Sequence, residues 1–203
     1  MFDGTLGDWE KDPINLELKT YYKPFNFKYY PVPRINKENF LKELKHLLEI
    51  GVSTTVQKSQ YGTTVFIIPK KEGTVRFITD YCRVKHQLII NLYPLTKIGE
   101  TMQQLEGFQY ATELDLNMGY FTIRLSPASQ DMTMIVNEYG KFKYNHLPIG
   151  MCSLGYIFQS KVDKLLGDIK GAKTYIDDIL LPRKYCFIKH IAQLRIIFFR
   201  LRA

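Results

Sequence analysis

Two aspartates stand side by side, Asp177 and Asp178, inside an otherwise apolar segment, AKTYIDDILL (172–181). In a continuous strand, neighbouring side chains point to opposite faces. One of the two carboxylates would then be driven into the core, where an unpaired charge is costly. A tight turn between two short strands removes the conflict, because it lets both carboxylates reach one side and keep their hydration. The sequence therefore predicts a hairpin centred on this pair. The two neighbours also repel each other, and a divalent cation held between them offsets that repulsion. Without apolar arms around it, an Asp-Asp pair is more often a plain solvated turn.

A third carboxylate, Asp115, lies near the end of another alternating run. In FQYATELDL (108–116), Thr112, Leu114 and Leu116 share one face of a predicted strand, and Ala111, Glu113 and Asp115 share the other. If the two segments are neighbours, three carboxylates converge. That set suits phosphoryl transfer assisted by two metal ions, one activating an attacking hydroxyl and one holding a triphosphate and its leaving group. Mg²⁺ favours this kind of site, with a few carboxylates and the rest of its shell from substrate phosphates and water. Glu113 is read as exposed.

The remaining chain gives these segments a setting. Residues 1–35 lack periodicity and hold four prolines, Pro13, Pro24, Pro31 and Pro33, which predicts an extended arm lying on the domain. Trp9 and the tyrosine-rich stretch 21–30 are read as packing groups of that arm rather than as base-stacking groups. Asn36 caps a predicted helix running to about Ile50, with Phe40, Leu41, Leu44, Leu47 and Leu48 on one face and Gly51 as its stop. Residues 64–69 and 74–80 read as two strands joined by the turn Lys70–Gly73. A short helix is predicted over 97–106. Strands are predicted at 120–125, 132–137 and 141–146, and helices at 153–166 and 186–202. In the last helix Phe187, Ile191, Leu194, Phe198 and Leu201 are expected inward. Helices mixed with mostly antiparallel strands make an α+β architecture.

Composition narrows the function classes. The chain has 203 residues, enough for one large domain or two small ones that share a core. No apolar run approaches the ~18 residues of a membrane span, and the polar N-terminus lacks the features of a secretory signal. Cys82, Cys152 and Cys186 are too few and too far apart for a disulfide framework or a zinc site, so an intracellular, reducing setting is expected. The four histidines show no ligand spacing. The net charge of +8 suits a polyanionic partner as well as it suits a solubilising surface.

Four segments together resemble one family. TYIDDIL (174–180) resembles the Y-x-D-D box of reverse transcriptases. ATELDLNMGYFTIRL (111–125), LPIGMCSLGYIFQ (147–159) and FIIPKKEGTVRFITDYCRV (66–84) are similar to further segments of the Ty3/gypsy-type LTR retrotransposon group, in the family order. The resemblance covers about residues 25–202. It implies the fingers and palm of an RNA-directed DNA polymerase, with residues 36–95 mostly fingers and 96–203 mostly palm, and with the chain passing between the two more than once. The thumb, connection and ribonuclease H domains that follow in the family have no counterpart here, so processive synthesis by this chain alone is not expected.

The resemblance also implies roles. Asp115, Asp177 and Asp178 become the catalytic, metal-holding carboxylates for two Mg²⁺ ions, with Mn²⁺ as the other candidate. Lys70 and Arg76 become contacts to the incoming deoxynucleoside triphosphate, and Tyr120 the ring that packs on its sugar and excludes a 2′-hydroxyl. Gly150 and Gln159 match positions near the template and the nascent base pair. The implied partners are an RNA or DNA template with its primer and deoxynucleoside triphosphates, with no membrane; the sequence does not give the oligomeric state. The sequence departs from the family pattern at Cys82, Lys85, Ile149 and Gly155, which stand where Arg, Asn, a Phe, Met or Gln, and Pro are usual. Those departures open a second reading, a catalytically silent retrotransposon remnant that keeps the fold and binds nucleic acid through its basic surface. A metal-dependent nuclease fits less well, since no His or Lys base accompanies the carboxylates.

Overall fold

The computed structural model describes residues 5–9, 13–21, 23–71, 73–95, 99, 103, 105 and 107–202. The chain forms two compact units, each assembled from two stretches: 1–90 with 118–154, and 91–117 with 155–203.

In the first unit, helix α1 (Lys37–Glu49) buries Phe40, Leu44 and Leu47, the stripe that its 3.6-residue period predicts. Gly51, at a φ of 75°, ends the run. The helix lies on a five-stranded sheet made of β1 (Ser53–Thr55), β2 (Thr63–Pro69), β3 (Val75–Thr79), β5 (Ile135–Asn137) and β6 (Gly140–Tyr144), in the order β1-β6-β5-β2-β3. Phe40 is fully buried and stacks on Phe77 of β3 with ring centroids 4.5 Å apart. Val52, Val65, Val75, Ile135, Phe142 and Tyr144 complete this core. The hairpin β2–β3 is antiparallel, whereas β2 and β5 pair in parallel, Thr63 opposite Ile135.

The N-terminal stretch is fastened to this unit by isolated bridges, Ile14 to Leu125, Leu18 to Leu88 and Asn26 to Gly62, and it buries Leu16 and Val32. Tyr21, Tyr29 and Tyr30 do not pack inward as expected: they are 92%, 48% and 58% exposed.

The strand expected at 120–125 is not formed. Met118 takes a left-handed φ of 54°, and Gly119–Thr122 then wind into a 3-10 turn; only the following residues run extended, with Arg124 bridged to His146. Two short helices escaped sequence reading. One is α2 (Cys82–Gln87), whose first amide, that of Cys82, donates to Asp80 Oδ1. The other is α3 (Pro127–Asp131), capped by Ser126 and opened by Pro127. Both are too short for a periodic pattern.

The second unit holds a three-stranded antiparallel sheet, β4 (Tyr110–Asp115), β8 (Asp178–Arg183) and β7 (Lys173–Tyr175), in the order β4-β8-β7. Helix α4 (Leu154–Leu166) buries Phe158, Gln159, Val162 and Leu166. Helix α5 (Phe187–Arg202) buries His190, Leu194 and Ile197. Its inward stripe is therefore rotated from the expected one, and Phe187 is 54% exposed. The rotation follows from His190, whose Nε2 meets Thr112 Oγ1 of β4 at 2.8 Å and so takes a place the apolar pattern assigns to a hydrocarbon. The helix expected at 97–106 falls largely outside the described residues. No described helix is long and apolar enough to cross a membrane.

Candidate active site

Strand β4 keeps the predicted alternation: Ala111, Glu113 and Asp115 are exposed, and Thr112 and Leu114 are turned toward the interior. Strand β8 opposes it residue for residue, with Leu114 opposite Ile179 and Asp115 opposite Asp178. Directly opposed residues lie on one face of a sheet, with Cβ atoms about 4.5–5.5 Å apart. Two carboxylates thus share one face at one end of the sheet.

Asp177 belongs to the turn. Tyr175 of β7 pairs with Asp178 of β8, leaving Ile176 and Asp177 as a two-residue loop. Ile176 takes a φ of 52°, a region that a β-branched residue enters only under strain. The carbonyl of Asp177 accepts the amide of Leu116 at 2.9 Å, which ties the loop to the end of β4. Asp177 Oδ1 is buried. Backbone pairing alone thereby brings the three aspartate positions to one end of the sheet.

The strain at Ile176 is held from below. Gln159 of α4 is fully buried, and its Oε1 accepts the Ile176 amide at 2.7 Å. Its Nε2 donates to Asp163 Oδ1 at 2.8 Å and to Thr174 Oγ1 at 3.0 Å, while the Thr174 hydroxyl donates to the same Asp163 oxygen at 2.6 Å. Tyr93 also bonds Asp163, and that hydrogen bond pushes the Tyr93 phenol above its ordinary value. Sequence reading missed Asp163, Thr174 and Tyr93. The only signal for the first was its position one helical turn after Gln159.

The other expected site residues lie in the first unit. Lys70 and Arg76 are exposed on the β2–β3 hairpin. The Lys70 amide closes the turn onto Thr74 at 2.8 Å, and Arg76 sits opposite Ile68. Tyr120 is half-buried in the 3-10 turn. Gly150 has a φ of 105°, and a Cβ there would stand 2.4 Å from the carbonyl oxygen of Thr79. Glycine is required at that position on both counts.

The departures from the family pattern cost the fold little. Cys82 is exposed at the start of α2. A Cβ on Gly155 would meet nothing nearer than Ile176 Cδ1 at 3.7 Å, an ordinary contact, so the hairpin neither needs nor resents the missing side chain.

The carboxylates fit a hard divalent cation in donor type and in backbone placement. Among the described residues, no three His, Cys, Asp or Glu side chains are drawn together tightly enough to hold an ion as they stand. Like charges repel, which favours spread side chains over a closed cage.

Residues 68–201, two thirds of the chain, match a family model described as reverse transcriptase (RNA-dependent DNA polymerase). The chain is 28% identical over 173 residues to the Transposon Tf2-3 polyprotein of Schizosaccharomyces pombe, an alignment that covers 84% of this chain and 13% of the polyprotein. Two structures of the Prototype Foamy Virus protease-reverse transcriptase are also similar. The native protein is 27% identical with a TM-score of 0.86, covering 97% of this chain and 26% of that one. The CSH mutant is 26% identical with a TM-score of 0.89, covering 98% and 26%. The chain thus spans a small part of the length of each of these relatives.

Proposed function

The chain belongs to the reverse transcriptase (RNA-dependent DNA polymerase) family, and we propose that it adds deoxynucleotides to the 3′ end of a primer paired with an RNA or DNA template. The observation that carries this reading is the register of the second unit's sheet, which sets Asp115 opposite Asp178 and ties the Asp177 turn to the same strand end. A plain surface hairpin has no need of a strained turn at Asp177, braced by a buried glutamine and set beside the opposed Asp115 and Asp178, whereas a metal-assisted phosphoryl transfer has.

Asp115, Asp177 and Asp178 would hold the metal ions, Mg²⁺ first and Mn²⁺ as its substitute, and bound there the ions would activate the primer hydroxyl and neutralise charge on the triphosphate and the pyrophosphate leaving group. The chain's own residues do the positioning. Lys70 offers a mobile point charge and Arg76 a planar fork to the triphosphate oxygens. The Tyr120 ring closes the space that a 2′-hydroxyl needs, favouring deoxynucleotides. Gly150 would lie near the nascent pair, its missing side chain letting the backbone pass close to Thr79, and Gln159 serves nucleotide binding through the hairpin it braces.

Primer extension on poly-rA/oligo-dT with Mg²⁺ or Mn²⁺, run beside Asp177→Asn, tests the reading. The expected result is dTTP incorporation that disappears in the variant. Folded protein that binds the template-primer yet incorporates nothing under either metal sinks the active-enzyme reading and leaves a silent copy of the fold.

A further inference from the structure

Helix α5 is apolar on two sides. His190, Leu194 and Ile197 are buried in its unit, yet Ile188 is 79% exposed, Phe199 74% and Ile196 46%. At 3.6 residues per turn, Ile188, Ala192, Ile196 and Phe199 fall within about 80° of arc, on the side opposite the buried stripe. Ala192 is exposed with them. Helix α1 gives the contrast, since its exposed positions are Glu38, Lys42, Lys45, His46 and Glu49. A helix with one apolar face needs one covering layer, and a helix with apolar residues on both faces is patterned for cover on both.

The outer stripe has a border of one sign. Lys189 runs along one edge and Arg195 and Arg202 along the other, and all three are exposed. Residues 184–203 hold five Lys and Arg and no Asp or Glu. Arg200 is the exception in function, because Asp168 already engages it. The row Ile188, Ala192, Ile196 is an i±4 ridge, the kind that a facing helix packs against. Its small middle residue leaves a gap into which a large side chain of that helix fits. A second copy of the same face would set cations against cations. A lipid surface calls for a broad apolar face and has no use for the gap at Ala192.

We propose that this face of α5 is a docking surface for an acidic amphipathic helix of another protein, its large apolar side chains over Ala192 and its carboxylates beside Lys189, Arg195 and Arg202. The partner leaves the carboxylate site open. Helix α5 lies on the sheet face to which Thr112 points, as the bond from His190 shows, and Asp115 is on the other face of the same strand. The inference therefore does not rest on catalysis.

The test is fluorescence anisotropy of two labelled synthetic helices titrated with the full chain. One carries leucines along one face with glutamates on both borders, and its twin carries lysines in place of the glutamates. The chain is compared with Ile196→Gln/Phe199→Gln and Lys189→Glu/Arg195→Glu, surface changes each checked for fold by circular dichroism. Wild type is expected to bind the glutamate helix and not its twin. Losing the two apolar side chains is expected to weaken that binding about tenfold or more, and reversing the two charges is expected to switch the preference to the lysine helix. A glutamate helix that does not bind, or that binds no better than its twin, overturns the proposal. A wild-type dimer in sedimentation velocity that Ile196→Gln/Phe199→Gln dissolves also overturns it, in favour of a second copy. Co-sedimentation with phosphatidylserine vesicles through the same residues, without binding of the glutamate helix, overturns it in favour of a membrane.

Discussion

At the scale of single residues, two positions carry more than their chemical type announces. Gly150 cannot be replaced cheaply, because its φ of 105° and a Thr79 carbonyl oxygen only 2.4 Å from where a Cβ would stand leave no room for a side chain. Gly150→Ala is expected to lower stability by about 1–3 kcal/mol, read as a shifted urea midpoint with an unchanged m-value. Gln159 is the second. Its amide oxygen takes the Ile176 amide at 2.7 Å, and its amide nitrogen serves Asp163 and Thr174. Gln159→Met keeps the volume and removes the hydrogen bonds, leaving buried donors and acceptors unpaired at a cost of about 1–3 kcal/mol. Hydrogen exchange at the Ile176 amide should quicken in this variant more than exchange elsewhere in β7 and β8. Equal protection at that amide in wild type and variant would show that the hairpin is held by its strands alone.

Among the elements, the β4–β8 pair sets function against stability. Asp115 and Asp178 face each other across the ladder, and like charges directly opposed destabilise an antiparallel pair. Asp178→Asn removes that repulsion. The metal-free variant is expected to be more stable than wild type by a few tenths of a kcal/mol, seen as a higher Tm in chelator-treated protein, and to gain less than wild type when Mg²⁺ is added. A variant that is less stable without metal would mean that Asp178 makes a favourable contact outweighing the repulsion. Helix α5 shows the other side of element-level reasoning. Its periodicity is plain, yet a polar residue, His190, lies on the buried stripe through its bond to Thr112. Hydropathy ranks the residue types, and it cannot see a hydrogen-bond partner 78 positions away.

For the molecule as a whole, one source of pH dependence near neutrality lies in the first unit. Burial, with Arg124 beside it, holds the His146 imidazole below its ordinary value of 6.5. The unfolded chain therefore takes up the proton first. The stability that goes with a neutral His146 is fully present above about pH 6.5 and is lost as the pH falls toward the lowered native value. Wild type is expected to lose stability as the pH is lowered from about 8 through about 6, while His146→Gln stays flatter, as measured by urea denaturation across that range. The organisation at this scale was only partly readable. The hairpins, the first helix and the carboxylate turn each announce themselves through local pattern. That residues 118–154 return to the unit of residues 1–90 does not, because β2 pairs with β5 across a long intervening stretch, Thr63 opposite Ile135.

Local sequence carries what short-range physics controls: an alternating strand ending at Asp115, a turn forced at Asp177-Asp178 by the cost of burying a charge, a helix face at Phe40, Leu44 and Leu47, and a set of motifs that name a family. What depends on distant partners came only with the folded chain. Folding set Asp115 opposite Asp178, joined Gln159 to a strained Ile176, turned His190 inward, and left Tyr21, Tyr29 and Tyr30 in solvent. The physical reason is the range of the forces involved. Turn strain and side-chain periodicity act over a few residues, whereas strand register and buried hydrogen bonds join groups that only the folded chain brings together.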